Sequence, residues 1–122
     1  MLRPILIAAA LAAATPAAAF RAENGLTVEP VDTSSFYVPW RGKSGARHFW
    51  CAAGDYVIRE LNLPSSTDIY RYDAPVRAQG EGIRFGFDPA RAQNTGLIRL
   101  YGGKGLNAAY ARTFCNDRQF GR

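Results

Sequence analysis

Apolar and polar positions along the chain follow two periods, one helical and one of strands. Trp50, Gly54, Val57, Ile58 and Leu61 recur at i, i+4, i+7, i+8 and i+11, one apolar stripe of a helix. Cys51 borders that stripe, while Arg47, Asp55, Arg59 and Asn62 fall toward the other side. Asp55 precedes Arg59 by one helical turn, the favourable order for an acid and a base on one face. Ser44 is placed to cap the helix, and Pro64 to stop it after Leu63. A glycine inside a helix costs about 1 kcal/mol against alanine, so Gly54 predicts a closely packed neighbour.

The shorter period appears on both sides of this helix. Leu26-Thr27-Val28 and Phe36-Tyr37-Val38 are short β-like runs in an otherwise extended, irregular segment 20–46, the second ended by Pro39. After Pro64 come Ile69-Tyr70-Arg71-Tyr72, then Ile83-Arg84-Phe85-Gly86-Phe87 with Arg84 opposed to its apolar neighbours, then Leu97-Ile98-Arg99-Leu100-Tyr101. Asp88-Pro89 and Asn94-Thr95-Gly96 punctuate these runs as turns. Asn107 is placed to cap a short last helix through Phe114, with Gly102, Gly103 and Gly105 as the loop before it. The pattern predicts a small α+β single domain. A short antiparallel sheet of about three to five strands packs with a central helix and a short C-terminal helix.

The first residues change the picture by assigning a compartment. Met1-Leu2-Arg3 is a positive start, Pro4 to Ala14 is almost wholly apolar, and Ala17-Ala18-Ala19 offers the small-x-small pattern of a peptidase site. These are the three parts of a secretory signal peptide, 1–19, with cleavage before Phe20. The apolar run of roughly 11 residues is short of the ~20 that span a bilayer, and no later segment is longer, so no transmembrane segment is expected after cleavage. The mature chain, 20–122, is then an extended N-terminal region, 20–46, followed by the α+β core, 47–122. Its location is the periplasm or the exterior.

Charge narrows the partners. Without Arg3 the mature chain has 14 basic and 10 acidic side chains, a mild excess that is spread along the chain with no block of like charge. A nucleic-acid footprint clusters its cations with aromatics on one element, so no nucleic-acid partner is expected. Gly42-Lys43-Ser44 has the end of a phosphate-binding loop, but Tyr37 stands where the pattern needs its first glycine, so no nucleotide is expected.

His48, Cys51 and Asp55 share one stretch and raise the question of a nucleophile or a metal site. In an exported chain, two cysteines most simply form a disulfide, and Cys51 with Cys115 is the expected pair. Closing that loop stabilises by about 4 kcal/mol in the chain-entropy picture. One histidine and two distant cysteines do not make a zinc set. The acids stand singly along the chain, with no pairing for glycoside hydrolysis. No catalytic residue, metal or cofactor is therefore assigned.

The aromatic residues carry the one binding signal. Phe36, Tyr37, Trp40, Phe49 and Trp50 cluster with cations among them; most are expected in the core, with Trp40 outside it. The candidate binding surface is Trp40, Arg41, Lys43, Arg47 and His48. The expected function is a non-enzymatic exported domain that binds another envelope protein or a glycan. The alternative is a small hydrolase acting on envelope polymers.

Overall fold

The computed structural model describes residues 19–42, 45–74, 80–97 and 104–116. In chain order its elements are β1 (Phe20–Arg21), β2 (Thr27–Asp32), β3 (Ser35–Val38), α1 (Ala46–Asp55), β4 (Asp68–Arg71), β5 (Ile83–Gly86), β6 (Gly105–Asn107) and α2 (Ala108–Thr113). A π-helical turn, Tyr56–Glu60, continues α1, and a 3-10 turn, Pro89–Arg91, follows β5. The strands form one six-stranded sheet in the order β1-β2-β3-β5-β4-β6, with every pair antiparallel. The α+β architecture, the central helix, the short C-terminal helix and the disulfide are as the sequence pattern predicts. The sheet has one strand more than the upper expectation, and β3 pairs with β5 rather than with the next strand in the chain.

Segment 20–46 is less irregular than its composition suggests, because three of the six strands lie in it. Their side chains obey the two-residue alternation of a half-buried sheet. Val28, Phe36 and Val38 are buried on the inner face with Ile69, Ile83, Phe85 and Leu106 from the other strands. Asp32 closes the β2–β3 hairpin by accepting the Ser34 N–H at 2.9 Å and the Ser35 hydroxyl at 2.8 Å. Those bonds hold the Asp32 carboxyl below its ordinary pKa. β1 covers only Thr27 and Val28 of β2; beyond it, Pro30 and a register shift between Pro30 and Asp32 blunt the edge against further pairing.

Helix α1 packs on the inner face. Trp50 sets its ring edge-on to Phe85, centroids 4.9 Å apart, and its indole N–H donates to the Thr95 carbonyl at 2.9 Å. The apolar stripe holds for Trp50, Gly54 and Val57, fades at half-buried Ile58 and ends at exposed Leu61. The α-helical part stops at Asp55, earlier than Pro64 requires; the chain widens into the π turn, where the Leu61 N–H bonds to the Tyr56 carbonyl at 3.0 Å. Asn62 then takes a left-handed conformation, φ 55°, and ends the helical path. Gly45, rather than Ser44, occupies the N-cap position of α1, and Ser44 lies outside the described residues.

The second half confirms the cap and adds a strand. Asn107 caps α2, its side-chain oxygen accepting the Tyr110 N–H at 2.8 Å. The run expected as a strand at 97–101 lies outside the described residues except for Leu97, which sits in a bend. Gly105–Asn107 forms the edge strand of the described sheet, where the glycine spacing suggests a loop. Pairing decides this: Leu106 lies opposite Ile69, and both side chains are buried. The expected signal peptide, 1–18 of it, lies outside the described residues. No described helix is long and apolar enough to cross a membrane.

Candidate functional site

Cys51 and Cys115 are joined in a disulfide with Cα atoms 4.9 Å apart, so α2 and the chain after it are tied to the middle of α1. Gly54, one turn on, lets the helices touch: a Cβ there would lie 2.7 Å from the Arg112 backbone nitrogen. Both sulfurs are in the bond, so the His48–Cys51 pair holds no thiol to act as a nucleophile. Among the described residues, no group of three or more His, Cys, Asp or Glu is arranged to hold a metal ion.

Asp55 is where the sequence reading needs its main correction. Helical spacing put it toward the outer side of α1, but its side chain is fully buried. Arg59 grips it with two hydrogen bonds of 2.7 and 2.6 Å, as the one-turn spacing predicts. The Glu23 N–H donates to it at 2.9 Å, and Arg112 approaches at 3.2 Å while also pairing with the Glu23 carboxylate. Burial alone would raise the pKa of Asp55. The bonds from Arg59 and Glu23 and the charges of Arg59 and Arg112 outweigh it and hold the carboxyl below its ordinary value. In turn Asp55 holds Arg59 above the usual guanidinium range. Arg59 also lies over the Phe20 ring, 4.9 Å from its centroid, and bonds to the Arg21 carbonyl. This ion cluster joins β1, α1 and α2; its carboxylate is saturated by protein donors.

Four of the five binding residues expected from sequence are described. Trp40 and Arg41 are exposed just beyond the end of β3. Arg47 and His48 sit half-buried in the first turn of α1. The His48 carbonyl accepts from the Asn24 side chain at 2.9 Å, and Lys43 lies outside the described residues. Arg47 instead borders a cavity of about 560 Å³ with Leu97, Tyr110 and Phe114, which neither Trp40 nor Arg41 lines. Of the aromatic cluster, Phe36, Phe49 and Trp50 are core and Trp40 is 39% exposed, as expected.

The outer face of the sheet brings together residues that the sequence kept apart. The 3-10 turn Pro89–Arg91 reaches it, setting the Arg91 guanidinium 4.0 Å over the Tyr72 ring. The antiparallel register sets Glu29 opposite Tyr37, and Tyr37 opposite Arg84, in one row across β2, β3 and β5. Asp73, just past β4, accepts the Arg84 backbone N–H at 2.7 Å and its guanidinium at 3.3 Å. With Glu81 and Val31 these side chains line an open cavity of about 740 Å³, within the usual range for small-ligand sites. Tyr37 is held in place from beneath, its phenol oxygen accepting the Gly82 N–H at 3.2 Å.

Tyr37 is one of three tyrosines that lie across a glycine on this face. A Cβ on Gly82 would fall 2.7 Å from Tyr37 Cζ, and one on Gly105 would fall 2.5 Å from Tyr70 Cε1. A Cβ on Gly86 would run into the Tyr72 phenol, whose oxygen accepts the Asp88 N–H at 2.9 Å. Glycine leaves a shallow place on a sheet that a neighbouring aromatic ring can cover. Tyr37 and Tyr70 remain half-exposed, whereas Tyr72 is roofed by Arg91, 4.0 Å above its ring. One sequence signal pointed here: the outward positions between buried Ile83 and Phe85 and on either side of Ile69 are polar or aromatic. No spacing rule links residues 29, 37, 73, 81 and 84, because only strand pairing makes them neighbours. No family model matches the chain, and no curated protein or solved structure matches it.

Proposed function

We propose that the protein is an exported, non-enzymatic binding domain whose outer sheet face takes a glycan. The observation that carries this reading is the cavity in which the Tyr37 ring lies among Glu29, Asp73, Glu81 and Arg84. A sugar ring presents a flat C–H face, which an aromatic ring covers, and a rim of hydroxyls, which carboxylates accept from and a guanidinium donates to. Two of these groups are fixed before any ligand arrives: Tyr37 by Gly82, and Arg84 by Asp73. Preorganisation of that kind lowers the ordering cost of binding. Among the described lining residues, three carboxylates stand with one guanidinium, which disfavours a polyanion. Export is consistent with the Cys51–Cys115 disulfide and with the leader-like start of the sequence.

Titration of isotopically labelled protein with uncharged oligosaccharides tests the reading. Amide shifts are expected to centre on Glu29, Tyr37 and Arg84, and Tyr37→Ala is expected to weaken binding at least tenfold. Shifts confined to Trp40 and Arg41, or none with any saccharide, would overturn it. Hydrolysis of an envelope polymer has one observation in its favour, the approach of Glu29, Asp73 and Glu81 to one cavity. Asp73, however, is bonded to Arg84. Release of reducing ends that is lost in both Glu29→Gln and Glu81→Gln would favour the enzyme.

A further inference from the structure

The cavity is one end of a longer surface. Tyr37 on β3 and Tyr70 on β4 stand on the same outer face with β5 between them. Tyr37 pairs with Arg84 of β5, and Tyr70 pairs with Gly86, two residues further along that strand. Two strand spacings across and two residues along place their Cα atoms about 12 Å apart. Between them Gly86 contributes no side chain; the Tyr72 ring covers it, and the Arg91 guanidinium lies 4.0 Å above that ring. At the far side, Gly105 lets the Tyr70 ring lean across β6 and keep one side toward solvent. The rings are therefore two platforms separated by more than one sugar ring, with Tyr72 and Arg91 between them and a polar edge at Arg84 and Asp73.

Resting on the glycan reading above, we infer that the ligand is an extended, uncharged oligosaccharide that crosses the strands from the cavity to Tyr70, which forms a second stacking subsite. One sugar would stack on Tyr37 with its hydroxyls toward Glu29 and Glu81. A later unit of the same chain would stack on Tyr70. An anionic chain meets the carboxylates of the cavity, and a single sugar reaches only one ring. Length and absence of negative charge are thus the properties this face selects. Tyr70 acts here through its aromatic face, since its position across Gly105 needs only bulk.

Calorimetric titration with one uncharged series, from monosaccharide to hexasaccharide, tests the inference on the intact mature protein and on Tyr70→Leu. Leucine keeps a side chain over Gly105 and removes the flat ring, so the fold is retained; circular dichroism checks that. In the parent protein the dissociation constant is expected to fall at least tenfold between the disaccharide and the tetrasaccharide. In Tyr70→Leu that gain disappears while the disaccharide affinity stays the same. Binding that is independent of length, or a length gain untouched in Tyr70→Leu, overturns the second subsite and leaves the cavity reading in place. A series in which no member binds overturns the cavity reading, and the inference with it.

Discussion

The two faces of the sheet solve the same problem, covering strands with side chains, by opposite means. On the inner face, large apolar residues and a helix exclude water, and the buried carboxylate of Asp55 is saturated by two arginines and a backbone N–H. On the outer face, Tyr37 and Tyr70 lie over glycines with one side left to solvent. The difference lies in tolerance. Where Gly54 meets α2, the obstacle to any added atom is backbone. Where Gly105 meets Tyr70, the nearest obstacle is a ring that can swing outward. Stability is concentrated on one side, and adjustable surface is available on the other.

The largest test of that division is the disulfide. Replacing Cys51 and Cys115 together by serine is expected to cost about 4 kcal/mol in urea unfolding, from the entropy of a loop spanning 64 residues. A loss below about 1 kcal/mol would mean that packing around Gly54 holds α2 by itself.

Asp55→Asn comes next, at about 2–3 kcal/mol. Removing one partner of a buried pair costs about 3–5 kcal/mol, reduced here because Arg59 and Arg112 are partly exposed and rehydrate. The same residue sets an acid limit. Its folded pKa lies below the unfolded one, so its contribution is complete above the ordinary aspartate value and is lost as pH falls through the lower, folded value. Melting temperature in the parent should therefore drop on acidification below about pH 4. In Asp55→Asn that drop should be shallower, and equal slopes would remove Asp55 from the account.

The smallest effects compare the faces directly. Gly54→Ala is expected to lose about 1–2 kcal/mol, overpacking against α2 outweighing the better helix propensity. Gly105→Ala is expected to lose no more than about 0.5 kcal/mol, because Tyr70 can yield. Equal losses at the two glycines, read from urea midpoints, would erase the distinction between a rigid and an adjustable face.

Much of the inner face was legible in advance. The stripe through Trp50, Gly54 and Val57, the Asp55–Arg59 spacing, the Asn107 cap and the cysteine pair all depend on short intervals or on simple counting. Asp55 was misplaced because helical period sorts residues around an axis but does not say how many sides of the helix are covered. Here α2 and the β1 turn cover the side that period assigns to solvent. The strand at Gly105–Asn107 escaped for a related reason: its identity comes from a partner, Asp68–Tyr70, rather than from its own composition.

By itself, the sequence determined the α+β class, the covalent tie between α1 and the end of the chain, and the alternation that sorts each strand into an inward and an outward side. These follow from local period and from the chemistry of single residue types. Only the tertiary structure decided that β3 lies beside β5, and hence that Glu29, Tyr37 and Arg84 stand in one row with Asp73 at its end. Register between distant strands arises from hydrogen bonding and packing across the whole sheet, and no interval along the chain encodes it.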